Sequence, residues 1–335
     1  MYRSLIIGFG YAGRMLHLPC IHKVQDNYNK SEIIFDSKVG VVDPLLSIRA
    51  GKDSDNLDIF TKLQDIQSFD PNQTIVHICT APEIHFETIR QVAELGFKKI
   101  IVEKPLTISV ENLERILEIE EARRLDILVV ANWVYSSLTA RINEIISSEI
   151  YGPVIHLSIE QNKPRFSRTI ANSTHTTVFD VEIPHEVALS HYLLGPVREI
   201  TGSMYGDMVL NDIIVRKMGK GQITLLHKNG CTSTLYSDLT SPIRKRIVNV
   251  YFKDNLITGH YPISSDDNHS QISVFHDSKL ISLDILQDDP LTSCLNEFYK
   301  YFIGETQNKP VSDLFFNAGV IRTIYRSKSL SGIVI

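Results

Sequence analysis

The chain has 335 residues, 43% of them hydrophobic and 22% charged, which is enough apolar material for two packed domains and is not the composition of a disordered chain. Its formal net charge is -5, whereas phosphate backbones are met by concentrated Lys and Arg, so a nucleic-acid partner is not expected.

Residues 5–7 form a short apolar run ending at Gly8, and 14–22 carries an apolar helical face on Met15, Leu16 and Leu18, so the chain opens as strand, glycine turn and helix. Residues 25–38 are largely polar and read as a loop insertion. A second buried strand, 39–42, is stopped by Pro44 and places Asp43 at its carboxyl end. Strand 74–79, helix 83–95 closed by Gly96, strand 99–102, helix 111–124 and strand 127–131 continue the alternation. Strands and helices alternating at this spacing imply right-handed crossovers and a doubly wound parallel sheet, so residues 1–130 are expected to be one dinucleotide-sized Rossmann domain in an α/β protein.

The character changes after a helix at 138–150. Strands are expected at 154–160, 200–205, 212–217, 222–228, 231–239, 246–252 and 256–262, some separated by turn pairs such as Asn229-Gly230, with helices only at 180–194 and 291–301. Residues 131–335 therefore read as an α+β domain with a large open, mainly antiparallel sheet. Cys20, Cys79, Cys231 and Cys294 have neither paired spacing nor a histidine cluster near them, so no metal and no disulfide framework is expected. No stretch reaches the ~18 apolar residues of a membrane span, and the apolar start is too short for a secretory leader; a cytoplasmic protein without a membrane partner is expected.

The loop Gly8-Phe9-Gly10-Tyr11-Ala12-Gly13 has the spacing of a pyrophosphate site. One glycine permits the tight turn, the next lets phosphate approach the backbone, the third lets helix pack on strand, and the helix amino terminus favours the anion. Asp43 would accept hydrogen bonds from the adenosine ribose and repel a 2′-phosphate, favouring NAD; Arg49 keeps NADP open.

Together with Thr80-x-Pro82-x-x-His85 and Glu103-Lys104-Pro105, the loop resembles the glucose-fructose oxidoreductase, inositol dehydrogenase and rhizopine-catabolism family (Gfo/Idh/MocA), even to His17-x-Pro19 after the last glycine. The resemblance covers nearly the whole chain and is strongest over the first ~135 residues. It implies that Gly8 to Gly13, Asp43, Thr80, Pro82, His85, Glu103, Lys104 and Asn132 hold the cofactor. It also implies that the second domain carries the substrate and the contacts of a homo-oligomer, a dimer or tetramer.

Lys104 is assigned proton chemistry by the resemblance, since oxidising an alcohol removes a proton from oxygen as hydride leaves carbon. Pro105 is expected to carry a cis bond. The partner is His185, but the family's aspartate four residues earlier is Val181 here, so Asp180 or Glu182 would supply the supporting acid. Lys163, Arg165 and Arg168 form a small basic group before that helix, read first as a solvated loop and, as the alternative, as a group that meets a phosphate or carboxylate on the substrate. The expected activity is hydride transfer between nicotinamide and a hydroxyl or keto carbon of a sugar, amino sugar, nucleotide sugar or cyclitol. The alternative is a non-catalytic dinucleotide or sugar sensor of the same fold.

Overall fold

Six short apolar runs, each followed by a return segment, build the first sheet. Strands β1 (Tyr2–Ile7), β2 (Phe35–Val42), β3 (Leu57–Phe60), β4 (Thr74–Ile78), β5 (Lys99–Val102) and β6 (Asp126–Val129) lie in the order β3-β2-β1-β4-β5-β6, with every pair parallel. All five residues of β4 are buried, as expected of a strand covered on both faces. Strand order reverses between β1 and β4, which puts a ligand crevice at the carboxyl ends of those two strands. The computed structural model describes residues 1–30, 32–45, 56–171, 175–264 and 267–333.

Helices α1 (Leu18–Asn29), α2 (His85–Glu94) and α3 (Val110–Arg123) accompany this sheet. A π-helical turn, Ala12–His17, precedes α1. The polar stretch expected as a loop from residue 25 is helical as far as Asn29, because its polar groups bond to the sheet: Gln25 donates to Ser4 Oγ (3.0 Å), and the Asn29 carboxamide accepts from Ile34 N and Phe35 N and donates to Phe35 O (each 3.0 Å).

The second unit is built on α4 (Ser137–Ser147), β7 (His156–Asn162), α5 (Phe166–Ala171), α6 (Ile183–Leu194), β8 (Val197–Tyr205), the hairpin β9 (Met208–Leu210) and β10 (Ile213–Val215), β11 (Lys220–His227), β12 (Thr232–Asp238), β13 (Lys245–Tyr251), β14 (Asn255–His260), β15 (His269–His276) and β16 (Lys279–Gln287). Its eight-stranded sheet runs β16-β15-β14-β13-β7-β12-β11-β8 and is antiparallel except where β7 meets β12. The mainly antiparallel sheet expected from the sequence is present. Strands β15 and β16 lay outside that expectation. Their two-residue turn is Asp277-Ser278, both at positive φ (46° and 64°), a left-handed turn made without the glycine that normally signals one.

By compactness the chain divides into Met1–Ala131 with Leu291–Ala318, and Asn132–Pro290 with the residues from Gly319 onward. Reading 131–335 as one block does not anticipate that return. It brings helix α7 (Pro290–Phe302) to the first unit, where the buried Tyr299 hydroxyl meets Ser4 Oγ at 2.7 Å. A last helix, α8 (Leu314–Leu330), starts in the first unit and ends in the second.

Candidate functional site

In the first unit the three loop glycines are needed for three different reasons. Gly8 has φ +91°, and a Cβ there would lie 2.9 Å from Cys79 C and Thr80 N, so only glycine lets the β1 turn pass the end of β4. A Cβ at Gly13 would fall 2.3 Å from Gly8 O, so the helical turn packs on the loop only without a side chain. At Gly10 nothing lies within 4 Å. That open space over the loop fits a pyrophosphate approaching the backbone.

Asp43, buried at the end of β2, accepts from Phe9 N at Oδ2 (2.7 Å) and from Leu45 N at Oδ1 (2.8 Å). Its carboxylate thus shapes the glycine loop as well as standing at the expected ribose edge. Thr80 follows β4 beside Gly8, and its Oγ1 is buried with no hydrogen-bond partner among the described residues, an opening a ligand would satisfy. Gly8, Gly10, Gly13, Asp43 and Thr80 therefore come together, and Tyr11 and Ala12 lie at the helical start of the loop. Pro82 begins a short 3-10 turn. Arg49 lies outside the described residues.

His85 lies between two backbone carbonyls. Its ring is buried, with Nδ1 3.0 Å from Leu106 O and Nε2 3.0 Å from Thr80 O. Burial lowers its pKa against the pull of the two carbonyls. The ring ties the Thr80 loop to the segment after Pro105 and has no nitrogen left for a cofactor.

Glu103 and Lys104 follow β5, and the Lys104-Pro105 bond is cis. Glu103 Oε2 accepts from Lys104 N (3.0 Å), and Oε1 lies 2.9 Å from His17 Nε2 on the turn after the glycine loop. Burial would raise the Glu103 pKa, but His17 and Lys104 outweigh it and hold the carboxyl at about 2. A carboxylate only accepts, so His17 Nε2 carries the proton.

Burial likewise works against charge on His17, and Cys79 adjoins the ring; because burial pushes the Cys79 thiol up, Glu103 supplies the charge that raises His17 well above the ordinary histidine value. His17 Nδ1 meets His77 Nδ1 at 2.9 Å, and His77 Nε2 meets the Tyr299 hydroxyl at 3.0 Å. Burial and the His17 charge lower the His77 pKa, so His17 donates, neutral His77 passes a hydrogen bond to Tyr299, and Tyr299 donates to Ser4. Sequence reasoning saw His17 only as part of a motif and missed His77, Tyr299 and Ser4, which lie 60 to 295 residues from their partners.

In the second unit Trp133 is stacked between two rings: His185 at 5.8 Å and 16°, and Tyr261 at 4.6 Å and 17°. Tyr261 is fixed in turn by Thr139 Oγ1 (2.7 Å). His185 sits in the first turn of α6, its N–H bonded to Glu182 O (3.0 Å), so helix and stack together set its ring plane. Asn132 Oδ1 accepts from Trp133 N (3.1 Å).

Asp180 is bonded to a threonine turn and a lysine. Its Oδ2 accepts from Thr177 Oγ1 (2.7 Å), Thr177 N (3.2 Å) and Thr176 Oγ1 (3.3 Å), and its Oδ1 is ion-paired with buried Lys328. This carboxylate caps a turn and neutralises a lysine. Glu182 accepts from Lys163 Nζ (2.9 Å) and from Gln161 Nε2. Next to His185, Glu186 is fully buried with neither oxygen bonded among the described residues, and burial, then Glu182 and Glu160, raise its pKa well above the ordinary value.

Residues 2–131 match the model of the GFO_IDH_MocA oxidoreductase family, NAD-binding Rossmann fold. The resemblance and the cofactor class read from the sequence are thereby borne out. An uncharacterized oxidoreductase of Schizosaccharomyces pombe is 22% identical over 174 residues, covering 50% of this chain and 43% of that protein, so the match spans less than half of the relative's length.

Among solved structures, a mutant of a 3-ketoreductase from Actinomadura kijaniata, in complex with TDP-benzene and NADP, superposes with a TM-score of 0.78 at 11% identity over 98% of each chain. A UDP-N-acetylglucosamine 3-dehydrogenase from Acidithiobacillus ferrooxidans gives 0.69 at 14% identity over 98% of this chain and 97% of its own. These likenesses extend the shared fold to both units. Among the described residues no group of His, Cys, Asp and Glu is arranged to hold a metal, no helix is long and apolar enough to cross a membrane, and the four cysteines are free.

Proposed function

We propose that this oxidoreductase is an NAD(P)-dependent dehydrogenase or reductase that acts on a hydroxyl or keto carbon of a sugar, amino sugar, nucleotide sugar or cyclitol, with Lys104 and His185 as the catalytic residues. The observation that carries the reading is the anchoring of the Glu103-Lys104-Pro105 turn: Glu103 holds the Lys104 N–H with one oxygen and His17, from the turn after the glycine loop, with the other. The cofactor loop and the lysine thus share one rigid frame.

When bound, the nicotinamide exchanges the hydride. The chain's own part is to move the proton: in oxidation the substrate hydroxyl gives its proton to Lys104 or His185 in the neutral form, and in reduction the same groups return it. Gly8 to Gly13, Asp43, Thr80, Pro82 and Asn132 are the cofactor contacts of this reading, with NAD favoured over NADP by the Asp43 charge. The sugar-acting names of the two structural neighbours support the substrate class.

Self-association and a cytoplasmic location belong to the same proposal. Edge strand β16 leaves Leu280, Ile281, Leu283 and Ile285 exposed, an apolar edge of the kind a second copy covers. Sedimentation showing only monomer at micromolar concentration would remove the oligomer.

Replacing Lys104 by Met tests the catalytic reading: NADH binding should persist while turnover falls by at least ~100-fold, the scale of lost general acid-base catalysis. Unchanged turnover removes Lys104 from the mechanism. A non-catalytic sensor is favoured by one observation, the commitment of Asp180 to Lys328. Tight NAD binding with no nicotinamide absorbance change across a panel of sugars and cyclitols would select it.

A further inference from the structure

Arg165 stands just ahead of α5, held from both sides. Its backbone N–H donates to Leu239 O (3.0 Å) and its carbonyl accepts from Thr169 N (2.9 Å), so the main chain at this residue is fixed in place. The residue is only 6% exposed, and its Nε is sealed from solvent with no acceptor among the described residues. Among the described residues no carboxylate is ion-paired with it. The acid that acts on it electrostatically is Glu182, which is already engaged by Lys163 and Gln161, while Arg168 adds positive charge. One turn along α5, Thr169 Oγ1 is likewise buried and unpartnered. The Arg165 Nε and a hydroxyl one helical turn away are thus both buried with no acceptor among the described residues, donors that an oxyanion would satisfy.

Burying a guanidinium without an anion is unfavourable, and its forked donors match phosphate and carboxylate oxygens two at a time. Glu182 places this group close to the reacting end of the unit, since its carbonyl accepts the His185 N–H. From the buried, unpartnered Nε of Arg165 and the unpartnered Thr169 hydroxyl one helical turn along, we infer that the second unit holds an oxyanion subsite, and that the substrate is a sugar or cyclitol bearing a phosphoryl or carboxylate group. The inference rests on the proposed hydride-transfer reading for the word substrate, and on Arg165 and Thr169 for the subsite. It narrows the substrate class, because neutral sugars leave the charge of the buried guanidinium unmet.

The test is calorimetric titration of the full chain, saturated with NAD, using glucose, glucose 1-phosphate and glucuronate as probes. At least one anionic probe should bind ~10-fold or more tightly than glucose, the worth of a charge-assisted hydrogen bond; whichever wins assigns phosphoryl or carboxylate. That preference should vanish in Arg165→Met, survive in part in Arg165→Lys, and weaken in Thr169→Val. Should Arg165→Met fail to fold by circular dichroism, Arg165→Gln carries the same expectation. No preference for either anion in the unaltered chain, or a preference that survives loss of the guanidinium, overturns the inference. Because binding is read without turnover, an Arg165-dependent preference in a chain that transfers no hydride would refute the catalytic reading alone, and hydride transfer in a chain whose binding shows no Arg165-dependent preference for an anionic sugar would refute the subsite alone.

Discussion

His17 and Glu103, 86 residues apart, are joined by a 2.9 Å contact between Nε2 and Oε1 that ties the turn after the glycine loop to the lysine turn after β5. His17 is fully buried and Glu103 largely so, and each supplies the other's counter-charge. The contact makes Glu103 an anchor for the Lys104 backbone, a more specific role than cofactor ligand.

The pair should shape the stability profile from both sides. Glu103, held at about 2 instead of 4.5, contributes roughly 3 kcal/mol that is present above pH 4.5 and lost as pH falls toward 2. His17, raised above 6.5, contributes stability that is full below pH 6.5 and lost as pH rises through its raised value. Urea unfolding should therefore show this contribution greatest between pH 4.5 and 6.5. In His17→Ala, stability at pH 6 should fall by about 3–5 kcal/mol, since a buried carboxylate loses its partner. A variant as stable as the parent would mean the contact is not an ion pair.

Asp180 gives the opposite kind of prediction, a stability loss without an activity loss. Asp180→Asn should cost roughly 3 kcal/mol by stranding Lys328, while turnover below the melting transition stays within about threefold. A ~100-fold loss of turnover in the folded variant would restore Asp180 to the catalytic machinery.

Glu186 is buried without a partner, and its raised pKa means that the folded state keeps its proton. The sign is fixed by that shift: stability is full below the ordinary carboxyl value and declines as pH rises. Glu186→Gln, neutral and of the same shape, should raise stability at pH 8 by about 1 kcal/mol or more and leave it little changed at pH 4. Thermal melts at the two pH values decide it, and equal effects at both would show that the carboxyl is not held protonated.

What was legible in the sequence was local. Gly8, Gly10 and Gly13 announce themselves by spacing, Glu103-Lys104-Pro105 by adjacency, and β5 by an unbroken apolar run. What stayed hidden depends on partners far along the chain: Lys328 lies 148 residues from Asp180, and Tyr299 lies 222 from His77. The 25–29 segment looked like a loop because its polar residues are spent on the sheet, and the β15–β16 hairpin was missed because Asp277-Ser278 makes a left-handed turn without glycine. Local propensity was overridden at these places by bonds that only the folded chain can make.

The most direct measurement is NADH affinity in Gly10→Val, set against its melting temperature. A Cβ at Gly10 meets nothing within 4 Å, so the fold should tolerate the change, yet the side chain would stand where a pyrophosphate must approach the loop. An unchanged melting temperature with NADH binding weakened by at least ~100-fold, two decades in Kd, is the predicted result. Unchanged NADH affinity in a folded Gly10→Val chain would contradict the placement of the dinucleotide at this loop.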